Sequence, residues 1–157
     1  MSEYSPLVSY HRFYFVGYGN RLAVGSALVL RNLEDIASFD AIYLLDKNSQ
    51  EVAKKELPET LEVEINRFSF PGSDKQGMGT FSIVIRTIAN QLQQKKKVLL
   101  CCRGGDDISL ITAAAILTQL KAHKTFANSL ERVMTKRNIK ELNWDFAKKV
   151  QEICNVS

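Results

Sequence analysis

Apolar and polar positions alternate along this chain with two different periods. Residues 11–17, rich in aromatics, predict a strand ending at Gly17, and Gly19-Asn20 is a turn signal. Residues 22–30 are apolar and fit either a second strand or the lead into a helix. Arg31 to Ile36 predicts a short helical piece with Asn32 as its cap. Ala41 to Leu45 is a short apolar run of buried-strand type, ended by Asp46-Lys47-Asn48-Ser49. Residues 50–56 favour helix and stop near Pro58. Leu61 to Ile65 alternates strictly, as a strand with one buried face does. A loop containing Asp74 follows over 72–79. Helical spacing of Phe81, Ile85, Ile88, Ala89 and Leu92 then predicts a helix over 80–94, with Thr80 or Ser82 as cap and Lys95 to Lys97 closing it.

The most informative stretch is 98–120. A short apolar run, Val98-Leu99-Leu100, enters a Gly-containing loop, and a long apolar helix leaves it. Such a junction points backbone N–H groups at one place with the positive end of a helix behind them, a geometry suited to an anion. Cys102 stands where strand meets loop. Side chains alternate along a strand, so one of Cys101 and Cys102 is expected in the core. Two further stripes, Phe126, Leu130, Val133 and Met134, then Trp144, Ala147, Val150 and Ile153, predict two more helices. Strand and helix in this alternation predict an α/β fold, a parallel or mixed sheet with helices on both faces, in one domain over 1–157. The loop after residue 100 is then expected at the C-terminal end of a central strand, where such sheets bind ligands.

Composition narrows the classes. At 157 residues the chain is long enough for a sizeable core. No apolar run approaches the roughly 18–20 residues of a membrane span, and the N-terminus lacks the pattern of a signal peptide. Three cysteines, two adjacent, do not make a disulfide framework, which favours a cytoplasmic or otherwise intracellular setting. No zinc spacing and no RNA-binding motif is present, so no metal, cofactor, nucleic acid or membrane is expected. The net charge of +4 is uneven: residues 95–157 hold twelve Lys and Arg against six Asp and Glu. A basic C-terminal half suits an acidic partner or a solvated helical surface.

The central stretch resembles the signature of cysteine-dependent phosphatases, in particular the small dual-specificity ones. That pattern is His-Cys, two residues, Gly, two residues, Arg-Ser/Thr, then a helix rich in small residues. Cys102 matches the nucleophile, Gly105 the glycine and Ser109 the hydroxyl residue. Cys101 stands in place of the histidine and Ile108 in place of the arginine. The tail resembles the family as well: Arg137-Asn138-Ile139 matches an Arg-Pro-type turn with Asn138 for the proline, and Asn143-Trp144-Asp145-Phe146 matches an Asn-x-x-Phe helix start. The resemblance covers about residues 61–155.

The resemblance implies a three-layer fold of dual-specificity-phosphatase type and a role for each matched position. Cys102 takes the nucleophile's place. Arg103, Gly104, Gly105, Asp106, Asp107, Ile108 and Ser109 make the equivalent of the phosphate loop. Asp74 lies in the segment where the family carries its general acid, a few residues later than that acid; the other reading is a solvated turn aspartate. The family's chemistry needs a thiolate, an arginine clasping the phosphoryl oxygens and an acid for the leaving oxygen. Ile108 offers no hydrogen bond, and Asp106 and Asp107 add two negative charges beside the anion's place. The expectation is a catalytically inactive, pseudophosphatase-like interaction module. Its partner would be a protein, including a phosphoprotein, met through surfaces outside the loop such as the basic C-terminal helices. The alternatives are a weak or atypical phosphatase using Cys102 and a non-catalytic structural subunit. The oligomeric state stays open.

Overall fold

The structure, a computed structural model, describes residues 13–68, 75–103, 107–137 and 142–156. Strand β5 (Val98–Cys102) lies at its centre with every residue buried. Parallel neighbours on both edges and helices on both faces explain why this strand is apolar throughout instead of alternating. β1 (Phe13–Gly17) and β2 (Leu22–Ser26) form an antiparallel hairpin. β2 then runs parallel to β5, β5 to β3 (Ala41–Leu44), and β3 to β4 (Glu64–Arg67). The resulting mixed sheet has the order β1-β2-β5-β3-β4. The α/β three-layer architecture expected from the sequence is therefore present.

Side-chain alternation divides the interior into two cores. Leu22, Val24, Ala41, Tyr43, Val98 and Leu100 face one layer: α3 (Lys75–Gln93), α4 (Ile108–Gln119), α5 (Phe126–Arg137) and α6 (Trp144–Val156). Ala23, Ile42, Leu44, Leu99 and Cys101 face the other: the 3₁₀ turn Ala27–Arg31, α1 (Leu33–Ile36) and α2 (Lys47–Glu56). α4 is buried continuously from Ser109 to Leu117, which is why its sequence is apolar on all sides. It passes close to β1: a Cβ at Gly17 would stand 3.0 Å from Leu117 Cδ2.

Several boundaries differ from those expected. The ambiguous stretch 22–30 resolves into β2 followed by the 3₁₀ turn. β4 is paired over 64–67, three residues later than the alternation over 61–65 suggests, because Val63 already packs in the core ahead of the ladder. α2 starts at Lys47, not 50, because Asp46 caps it in a reciprocal capping box with Ser49. α3 starts at Lys75, inside the expected loop 72–79, so Thr80 and Ser82 are interior helix positions and cap nothing. Its end is also geometric. Lys95 takes φ 68°, and Lys95 N–H and Lys96 N–H donate to Leu92 and Gln91 carbonyls at 3.0 Å each. This left-handed closure, not the three lysine charges, terminates the helix. Asn32 caps α1 as expected, accepting from Asp35 N–H at 3.4 Å.

Candidate functional site

β5 carries two adjacent thiols to opposite faces of the sheet. Cys101 lies in the core with Leu99, Ala23 and Ile42. Burial, followed by the nearby Cys102 and Asp46 charges, pushes its thiol well above the ordinary value, so it stays a neutral core group. Cys102 is the last residue of β5, buried at 2% exposure, on the face that Val98 and Leu100 share with α4. Its register partner on β2 is Ser26, itself the last residue of its strand. Cys102 therefore stands at the C-terminal edge of the sheet's middle strand, the topological position at which α/β sheets take ligands.

The chain leaving Cys102 is held by a carboxylate from the neighbouring strand connection. Asp46 Oδ2 accepts the Arg103 N–H at 2.7 Å. Its other oxygen, Oδ1, accepts the Ser49 N–H at 2.8 Å and so caps α2. One side chain thus joins the exit of β3, the start of α2 and the start of the loop. In consequence the backbone N–H of Arg103 already bonds to an internal carboxylate. The Arg103 side chain is exposed.

On the far side of the loop, Asp107 occupies the N-cap position of α4 but makes no side-chain cap bond there. Its Oδ1 instead accepts the Asn143 N–H at 2.8 Å. Asn143 in turn caps α6 by accepting the Phe146 N–H at 3.1 Å. The Asp107 carboxylate is thus tied to the base of α6. Ile108, the first residue of α4, is partly buried and packs against the apolar core. Ser109 is fully buried, and its hydroxyl has no hydrogen-bond partner among the described residues. A buried polar atom left so is uncommon.

Of the positions singled out from sequence, the structure brings Cys102, Arg103, Asp107, Ile108 and Ser109 to one end of the sheet. Asp74, Gly104, Gly105 and Asp106 lie outside the described residues. Among the described residues no group of three or more His, Cys, Asp or Glu is placed to hold a metal ion, and no helix is long and apolar enough to cross a membrane. Sequence reasoning missed Asp46. Its signal was available in the Asp-x-x-Ser spacing that opens a helix, but nothing local pointed to Arg103.

Comparisons with known proteins agree with the fold. A family model described as the Rit1 DUSP-like domain, DUSP standing for dual-specificity phosphatase, matches residues 75–154. No curated protein sequence matches the chain. Among solved structures, human DUSP28 superposes with a TM-score of 0.69 at 15% identity, over 91% of this chain and 94% of that one. The human tyrosine phosphatase-like serine/threonine/tyrosine-interacting protein gives 0.69 at 14% identity, over 89% and 95%. A leucine rich repeat and phosphatase domain containing protein from Entamoeba histolytica gives 0.70 at 16% identity, over 92% of each chain. At these identities the likeness is one of fold.

Proposed function

The chain belongs to the Rit1 DUSP-like domain family, and we propose that it keeps the phosphatase scaffold without the phosphatase chemistry, acting as a protein-interaction module. The observation that carries this reading is Ile108. At the position the resemblance gives to arginine stands an aliphatic side chain, partly buried and packed against the apolar core at the first turn of α4. In comparable phosphoryl transfers an arginine contributes on the order of 10³–10⁵ in rate. An apolar replacement also leaves a phosphate dianion poorly paired. The Asp46 carboxylate on the Arg103 N–H supports the same reading, since like charges compete for that donor.

Aryl phosphate hydrolysis tests it. The unaltered chain is expected to turn over nothing above background, and Cys102→Ser is expected to change nothing. Ile108→Arg, combined with Asp106→Asn and Asp107→Asn, is expected to raise turnover by on the order of 10-fold or more. Asn at 107 keeps an oxygen for the Asn143 N–H, so that combination spares the tie to α6. Phosphatase activity in the unaltered chain that Cys102→Ser abolishes would overturn the proposal in favour of a weak phosphatase. The Ser109 hydroxyl, buried and without a partner among the described residues, favours that second reading, because the resemblance gives this position a hydroxyl residue.

A further inference from the structure

Away from the loop, a cleft of about 700 Å3 opens between α5 and α6. Phe126, Leu130 and Ala147 are buried at its base, and Met134 and Trp144 form its walls. Trp144 is the single tryptophan of the chain, and half of its surface is exposed. An aromatic side chain exposed beside an apolar cleft is the pattern of an interface anchor. The rim carries opposite charges, Glu131 on α5 and Lys148 on α6, both exposed, and neither makes an ion pair among the described residues. The stretch of sequence that builds α5 and α6 is basic: residues 121–157 hold eight Lys and Arg against four Asp and Glu.

We propose that this cleft binds one amphipathic helix of an acidic partner protein. The shape argues for a helix, because a groove between two helices is filled by the ridge of a third. Two copies of the chain meeting groove to groove would enclose a void instead of filling one. A nucleic acid would meet the positive charge but present no apolar ridge to Leu130 and Trp144. The partner's apolar residues at i, i+3 or i+4, and i+7 sit on those two side chains. An acidic flank faces Lys148 and the exposed Arg132, and a single basic residue faces Glu131. The proposal deepens the interaction-module reading, yet binding in the cleft and chemistry at Cys102 are measured separately. Hydrolysis through Cys102 would overturn that reading and leave the cleft untouched.

The test uses the full chain and a panel of side-chain-bridged amphipathic helices of about 15 residues, long enough to stay helical. Their flanks are acidic, neutral or basic, and Trp144 emission and peptide anisotropy are followed together. Acidic members are expected to bind, to shift Trp144 emission to the blue and to outbind their basic counterparts by at least about tenfold. Ala127→Glu, which sets a carboxylate in the cleft at an exposed helix position, is expected to weaken binding at least about tenfold without changing the circular dichroism spectrum. The proposal is overturned if no acidic member shifts Trp144, if acidic and basic flanks bind alike, or if Ala127→Glu leaves binding unchanged. It is equally overturned if a single-stranded RNA displaces the acidic helices, or if Trp144 shifts with protein concentration as the chain dimerises.

Discussion

Asp46 shows how much one side chain can join. Its two oxygens serve two elements, the α2 N-terminus through Ser49 and the loop through Arg103. Loss of an N-cap costs about 0.5–2 kcal/mol, and loss of the bond to Arg103 removes a second charge-assisted contact. Asp46→Ala is therefore expected to lower stability by about 2 kcal/mol or somewhat more, while Asp46→Asn, whose single amide oxygen can keep only one of the two bonds, falls between Asp46→Ala and the unaltered chain. Urea denaturation of the three chains checks the order. Equal midpoints for Asp46→Ala and the unaltered chain would show that neither bond matters. A contrast at the same scale is Cys101 and Cys102: one position apart, one is sealed in the core and the other closes the strand at the sheet's edge.

Among the elements, β5 and α4 define the site and α3 shows where local pattern misleads. The glycines at 77 and 79 look like loop residues, yet the helix runs through them from Lys75. Glycine costs a helix about 1 kcal/mol per position, and the packing of Phe81, Val84, Ile85 and Ile88 against the sheet outweighs it. At its other end the helix closes with Lys95 at φ 68°, a conformation that disfavours a side chain by roughly 1–2 kcal/mol. Lys121 repeats the device after α4, at φ 60°. Lys95→Gly is expected to stabilise the chain by about 1 kcal/mol, seen as a higher melting temperature. A lower one would mean that the lysine side chain does more there than end a helix.

Across the whole molecule, a polar chain links β3, α3 and β4 beside the apolar cores. Tyr43 O–H donates to Gln91 Oε1 at 2.7 Å, and Gln91 Nε2 donates to Glu64 Oε2 at 3.0 Å. Asn66 Nδ2 donates to the same Glu64 oxygen at 2.9 Å. Hydrogen bonds from Asn66 and then Gln91 hold the Glu64 carboxyl below its ordinary 4.5. Burial first, then the Glu64 charge, pushes Tyr43 from 10.0 up to about 12. The two shifts act at opposite ends of the pH scale. Glu64 stabilises the fold above its unfolded value, and this is lost as pH falls through the lower folded one. The Tyr43 contribution is complete below 10.0 and is lost as pH rises toward about 12. Tyr43→Phe is accordingly expected to flatten the alkaline loss of stability, and Glu64→Gln to flatten the acid one, in urea midpoints taken across pH. A Tyr43→Phe chain that still loses stability as steeply as its parent above pH 10 would show that the shift lies elsewhere.

The apolar periods alone determined the α/β class, four of the five strands and the helix stripes, while β2 stayed ambiguous until its pairing with β1 and β5 was seen. Short parallel strands must be apolar on both faces and surface helices on one, and both patterns are written in neighbouring residues. The strand-loop-helix around Cys102 was legible for the same reason, and so was the family resemblance it carries. The chain order did not contain the company those residues keep. Asp46 reaches Arg103 across 57 positions and Asp107 reaches Asn143 across 36, and the cleft beside Trp144 exists only because α5 and α6 pack side by side. Hydrogen bonds and clefts between distant segments depend on how the layers dock. That docking is set by the summed packing of both cores, which no local stretch of sequence encodes.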